Sequence, residues 1–248
     1  MKNFKPIIFF IVCILLFTCE DVENNRRLGF DINVVDINNV AIPNVNVVVF
    51  ANGREIGVFD VLFVLPLFLP NFNGVLGFGN TDTDGELRLI SLAPDRNNGS
   101  LAIIINGVTD DNTFVNSVNE NFGAVIFEID DDPESNTIDL PDVILRRVAL
   151  LNFDINNTSG SQNILRFSLE TDRRNQIFNL IDGSDNVSNI IQKNLFPEDL
   201  SLSMVNETLQ NTIATFSYTL SDDSDNLIDS GVIQIPINQD VVNYVFEY

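Results

Sequence analysis

Apolar and polar residues alternate along most of the chain from Leu28 to the C terminus. This period of two is typical of β-strands that bury one face against a core. Asn, Asp, Gly and Ser cluster between the alternating segments, as expected for turns, and the chain contains 34 asparagines. The pattern predicts an all-β protein built from two consecutive β-sandwiches of the immunoglobulin or transthyretin-like kind. The clearest alternating segments are residues 32–34, 45–49, 87–89, 103–105, 151–155, 165–169, 200–204 and 242–246.

One segment departs from this pattern and predicts a short helix over residues 185–195. Ser184 or Asp185 is a suitable N-cap, and Pro197 would end the helix. The apolar residues that would share one helical face are Val187, Ile190, Ile191 and Leu195.

The alternation pauses at Arg146-Arg147, and a new alternating series begins at Val148. We therefore expect two domains, over residues 28–147 and 148–248. Almost no linker separates them, so the two sandwiches should abut.

The first eighteen residues predict a secretory signal peptide. Lys2 and Lys5 precede an apolar run from Ile7 to Phe17. As a helix, that run would span roughly 16 Å, about half of a bilayer core, so it is too short for a free-standing membrane anchor.

The end of this segment, Leu16-Phe17-Thr18-Cys19, resembles a bacterial lipoprotein signal. The resemblance implies cleavage before Cys19, a diacylglycerol group on its sulfur and a further acyl chain such as palmitate on its amine. Residues 19–27 would then be a polar tether on the outer membrane, facing either the cell surface or the periplasm. Two or three acyl chains anchor a protein stably, whereas one does so marginally. The alternative is an ordinary signal peptide followed by an incidental cysteine.

Three motifs characterise residues 28–147: an opening hairpin over residues 32–47, the turn Thr81-Asp82-Thr83-Asp84-Gly85, and a closing segment over residues 138–145. Together they resemble a carboxypeptidase regulatory-like domain, which is a transthyretin-like β-sandwich. Asn38-Asn39 stands where that family often has a glycine turn. The family is generally a non-catalytic accessory module, so the resemblance implies a fold more than a function. Residues 148–248 resemble an immunoglobulin-like sandwich and no narrower family.

The composition excludes several kinds of chemistry. The chain has no histidine, which excludes His-ligated zinc and histidine-based nucleophilic catalysis. Its formal charge of −22 excludes nucleic acid as a partner. Loss of the signal peptide would leave 11 basic and 35 acidic residues, a charge of −24, and would remove Cys13. We do not expect an enzyme, because the one conceivable arrangement is a carboxylate pair with no recognisable motif.

Calcium is the one cofactor that the residues suggest. Asn80, Asp82 and Asp84 place oxygen donors at alternate positions before Gly85, as calcium loops do. The alternative is a β-turn in which an aspartate accepts backbone N–H bonds and Gly85 has a positive φ. Two other acidic runs, residues 130–132 and 222–225, could chelate calcium if a second loop met either of them, and the alternative is that they are solvated turns.

Residues 56–78 form an apolar insert in the first predicted sandwich. Asp60 is the single charge between Val58 and Pro70, and the prolines would interrupt a helix. One interpretation is that the insert is buried at the junction of the two sandwiches. The other is an exposed protrusion that contacts a partner protein or the lipid surface, through Phe63, Leu65, Leu67 and Phe68.

These observations predict a non-enzymatic, membrane-anchored lipoprotein that acts as a protein-binding accessory or adhesion-type module at the cell envelope. Its partners would be the membrane, through the lipid, and another envelope protein. The alternative is a glycan-binding accessory lipoprotein of an outer-membrane uptake system. Sugar faces stack best on Trp and Tyr, and the chain has no Trp and three Tyr, so the glycan alternative ranks second. A calcium-stabilised structural module ranks third.

Overall fold

Every regular element in the described part of the chain is a β-strand. The structure, a computed structural model, describes residues 22–53, 73–94, 99–107, 118–129, 136–160 and 162–248. Within these ranges it has fifteen strands and no helix, which confirms the predicted all-β class. No described segment is a helix able to cross a membrane.

The described residues of the first half form eight strands in two sheets around one core. They are β1 (Val22–Val35), β2 (Asn46–Gly53), β3 (Asn73–Asn80), β4 (Glu86–Pro94), β5 (Gly99–Ile105), β6 (Ala124–Ile129), β7 (Thr137–Asp139) and β8 (Val143–Ile144). The smaller sheet has the order β4–β1–β7, and β8 also pairs with β1. The other sheet has the order β3–β2–β5–β6. Alternate residues from both sheets, such as Phe30 and Val47, are buried between them.

The second half contains seven strands in the same kind of arrangement. They are β9 (Val148–Asn156), β10 (Ile164–Asn179), β11 (Asp185–Leu195), β12 (Ser201–Leu209), β13 (Thr212–Ser221), β14 (Leu227–Ile237) and β15 (Val241–Glu247). One sheet has the order β12–β9–β15, and the other has β11–β10–β13–β14. Its core is aromatic, and Phe216 lies at the centre with Phe153 at 4.8 Å and Phe246 at 4.9 Å between ring centroids.

The two halves have the same strand order. In each, the first strand pairs antiparallel with the fourth and parallel with the seventh. In each, the second strand pairs antiparallel with the third and the fifth, and the fifth with the sixth. Strands β1 to β7 therefore correspond one by one to β9 to β15, so the chain contains a structural repeat.

Strand β10 joins the two halves into one eight-stranded sheet. Its first part, residues 164–170, pairs with β13, and its last part, residues 175–179, pairs in parallel with β6. A bulge between Asp172 and Ile177 separates the two parts. Phe178, beyond the bulge, packs against the first core, with its ring 5.9 Å from that of Phe127. β10 therefore contributes to the cores of both halves. The domain boundary near residue 147 stays a prediction.

The predicted helix over residues 185–195 is wrong. The segment is strand β11, which pairs antiparallel with β10 along its length. Val187, Ile191 and Leu195 are spaced by four residues, and that spacing places them on one face of a helix and equally on one face of a strand. Leu195 and Ile191 do pack into the second core, so the pairing with β10 decides between the two periods.

Candidate functional site

The predicted calcium loop is a tight turn between β3 and β4. Oδ1 of Asp82 accepts hydrogen bonds from the backbone N–H groups of Asp84 and Glu86, each at 2.9 Å. Gly85 has φ +76°, and a Cβ there would collide with the carbonyl oxygen of Val34. This geometry is the one that the turn interpretation expects.

The same turn occurs at two further places, beginning at Asp36 and at Asp222. In each, Oδ1 of the first aspartate accepts N–H bonds from the residues two and four positions later. The fourth position is left-handed in all three turns, occupied by Asn39, Gly85 and Asp225. The N–H bond from Val40 lowers the pKa of the Asp36 carboxyl, and the side-chain amide of Asn226, followed by its backbone N–H, lowers the pKa of the Asp222 carboxyl. Asn39 takes the left-handed conformation that Gly85 has in the Asp82 turn, because asparagine tolerates positive φ.

Other residues of the predicted sites can be placed as follows. Asn80 ends β3, and its Nδ2 donates to Oδ1 of Asn44 at 2.9 Å. In the described ranges, no group of three or more His, Cys, Asp or Glu side chains is arranged to hold a metal ion. Calcium binding stays a prediction. Several predicted positions lie outside the described residues: Cys19, the acidic run 130–132, and the contact residues Phe63, Leu65, Leu67 and Phe68.

The outer face of sheet β11–β10–β13–β14 is polar and has a shallow depression. Residues paired across strands share a face. Two adjacent transverse rows line the depression, and all their members except Arg166 and Val232 carry hydroxyl or amide groups, which can hydrogen-bond to a peptide backbone or a sugar. The rows are Asn194, Arg166, Thr219 and Ser230, then Gln192, Ser168, Ser217 and Val232.

Charged groups around this depression are mostly engaged. Arg166 donates to Oγ of Ser221 and to Oδ1 of Asp225, each at 2.7 Å. The hydroxyl of Tyr218 donates to Asp229 at 2.9 Å, and this hydrogen bond raises the pKa of Tyr218. Lys193 is exposed on the core-facing side of edge strand β11, where a charge discourages pairing with another strand.

Strand β14 exposes apolar side chains at the edge of this sheet. Leu227, Ile228 and Val232 are all more than half exposed, and Val232 is 66 % exposed. From Ser230 to Ile237 the strand has no charged residue. The unpaired backbone groups of an edge strand are a template for pairing with another chain, and in β14 only Pro236 lacks an N–H donor for such pairing.

The outer face of sheet β12–β9–β15 has a second apolar patch. Val205, Val241 and Val245 are exposed on this face, around the Asn152–Asn243 side-chain hydrogen bond of 2.8 Å. Apolar groups therefore reach solvent on both sheets of the second half.

The junction between the halves is a polar network. Arg146 pairs with Asp172 at 3.1 Å and Arg174 with Glu207 at 3.1 Å. Burial raises the pKa of Asp172, and the neighbouring Arg146 opposes that rise. The paired charges fix β10 beside the ends of β8 and β12.

The β14 edge was not among the predicted contact residues. The sequence does contain a signal for it, since Leu227-Ile228 and Val232-Ile233 place two apolar residues in succession. In a strand, one of each pair must face away from the core. Both Leu227 and Ile228 are exposed, and their exposure, like the position of the strand at an edge, depends on long-range pairing.

No protein-family model matches the chain, and no curated protein matches it. Solved structures give weak similarities of fold. The TIE protein of Bacillus anthracis is 10 % identical with a TM-score of 0.29, covering 90 % of this chain and 34 % of its own, so the chain spans about a third of that protein. The shaft pilin SpaA of Lactobacillus rhamnosus GG is 8 % identical with a TM-score of 0.30, covering 89 % and 97 %. A streptococcal ancillary pilin is 10 % identical with a TM-score of 0.27, covering 90 % and 63 %.

Proposed function

We propose that this protein is a non-enzymatic binding module of the cell envelope, lipid-anchored through Cys19, which recognises another protein through its second half. The observation that supports this most directly is the exposure of Leu227, Ile228 and Val232 on the edge strand β14. Apolar side chains exposed at a sheet edge favour contact with another chain. Backbone groups along the same edge can add hydrogen bonds to that contact.

The lipid anchor is supported by the order of residues in the first nineteen positions. The positive start, the short apolar run and Leu16-Phe17-Thr18-Cys19 occur in the order that a lipoprotein signal requires. Acylation would keep the binding surface at the membrane, and we propose that this is the outer membrane. Growth with a fatty-acid analogue should label the wild-type protein, and label that persists in Cys19→Ala would contradict the anchor.

The binding function is tested by photo-crosslinking in the native host. A photoreactive residue replaces Val232 in the full chain, and a second protein places it at Ile144, an exposed apolar residue of the first half. We expect one discrete protein adduct from position 232 and none from 144. The same protein without its signal is applied to a glycan array. Saturable glycan binding without a protein adduct would replace this proposal with the glycan alternative, to which the hydroxyl rows of the depression are suited.

A further inference from the structure

Among the described strands, the structural repeat shows one edge that is filled in the first half and open in the second. Strands β6 and β14 are the sixth strands of their halves and occupy the same place in the same sheet order. β6 has β10 paired along its outer side, and four of its six residues are buried. β14 ends the sheet, and no described strand pairs with its outer side. The fold therefore contains its own example of how this edge is covered.

The segment that covers β6 has a distinct chemistry. It is the last part of β10, and it reads Arg173-Arg174-Asn175-Gln176-Ile177-Phe178-Asn179. It runs parallel to β6, with Asn175 opposite Ala124 at the start of that strand. The two arginines therefore precede the start of the strand that they accompany, and Phe178 supplies apolar contact with the first core.

The charges beside β14 suit a segment of this kind in the same orientation. The turn before β14 contains Asp222, Asp223 and Asp225, and Asp229 lies at the beginning of the strand. Arg166 pairs with Asp225, and Asp222, Asp223 and Asp229 keep the start of β14 acidic. A segment added in parallel would place its leading basic residues next to these carboxylates. A second copy of this chain is disfavoured, because each copy has a charge of −22.

We propose that the outer edge of β14 accepts an extended strand from a partner protein, added in parallel, with basic residues leading and apolar residues following. This rests on the proposed protein-binding function and names the surface and the chemistry of the partner. The contact is β-augmentation, in which main-chain hydrogen bonds give affinity and side chains give selectivity.

The probe is a synthetic peptide with the sequence of residues 173–182, Arg-Arg-Asn-Gln-Ile-Phe-Asn-Leu-Ile-Asp. A control peptide has glutamate at both arginine positions. Binding to the full chain is measured by fluorescence anisotropy, and its location by amide hydrogen exchange. We expect saturable binding that slows exchange in residues 227–237, and no binding of the control peptide.

Two matched variants locate the contact. Val232→Lys puts a charge on the β14 edge, and Val205→Lys puts the same charge on β12, where the valine is equally exposed. We expect Val232→Lys to weaken peptide binding about tenfold or more, the equivalent of one buried valine, and Val205→Lys to leave it unchanged. Equal effects of the two variants, or protection outside β14, would overturn the proposal. If sedimentation shows a dimer of this chain, and Val232→Lys dissociates that dimer while Val205→Lys does not, the edge binds a second copy and the choice of a different protein as partner is overturned. A discrete adduct in the crosslinking experiment without peptide binding at β14 would leave the binding function standing and remove this inference alone.

Discussion

Gly123 lies where the two halves meet, and replacing it with alanine should destabilise the whole protein. A Cβ built there comes within 2.8 Å of Cδ2 of Leu209 and closer still to the backbone carbonyl oxygen of Arg174. Carbon atoms pack at about 3.5–4.0 Å, so either β10 or the Gly123 backbone must move by roughly 1 Å. The Arg174 oxygen belongs to the β10 bulge, which the Arg174–Glu207 ion pair also fixes.

The expected loss is about 1–3 kcal/mol of unfolding free energy, the range for overpacking, and near its upper end because backbone must shift. For a chain of this size, that corresponds to a melting temperature lower by about 2–4 °C for each kcal/mol lost. Urea unfolding of the chain without residues 1–18 measures the midpoint and the slope. We expect a lower midpoint with an unchanged slope.

Gly29→Ala is the matched control for this prediction. A Cβ at Gly29 has its nearest neighbour at 3.7 Å, which is an ordinary contact, and the residue lies in β1. Alanine should leave stability unchanged or raise it by about 0.4–1 kcal/mol, because it lowers the entropy of the unfolded chain. If Gly123→Ala behaves like Gly29→Ala, the close approach of β10 at the junction is refuted.

Three further predictions concern single residues. Asn106 is buried with a left-handed backbone, and its side-chain amide bonds to the backbone of residues 119, 122 and 123. In urea unfolding, Asn106→Ala should have a lower free energy of unfolding than Asn106→Gly by about 1–2 kcal/mol, because only glycine keeps the left-handed backbone without strain. Phe216→Ala should cost about 3–5 kcal/mol in the same assay, since the ring is fully buried, whereas Ile213→Ala, on an exposed position of the same strand, should cost little. The hydrogen bonds that lower the pKa of Asp222 stabilise the fold at pH values above the ordinary aspartate pKa near 3.9, and this contribution is lost as the pH falls through the lowered pKa. An NMR titration should show Asp222 protonating below about pH 3.9, and protonation at or above that pH would contradict the turn geometry.

Local sequence patterns predicted the strands well but could not predict how they pair. The alternation around Phe153 and Phe167 identifies both as core residues, and both are buried. The error at residues 185–195 arose because a spacing of four is compatible with helix and strand alike. The pairing of β10 with β6 joins residues about fifty positions apart, and nothing local to either strand encodes it.

The candidate site followed the same division between local and long-range information. The Asp82 turn was predicted with its alternative, because its geometry depends on five consecutive residues. The β14 edge was missed because exposure of Val232 depends on which strands lie beside it. Whether a strand lies at a sheet edge depends on which strands pair with it, and the local sequence pattern of a strand does not specify that pairing.

The shared strand β10 also determines how the molecule responds to mechanical force. Halves joined only by residues 145–147 could swing about that connection and would transmit tension but no torque. Five paired residues between β6 and β10, together with Phe178 in the first core, resist bending and twisting at the junction. The pairing of β10 with β6 therefore fixes the distance and the orientation between β1 and the β14 edge. Under force, the two halves move together as one stiff body and do not rotate independently.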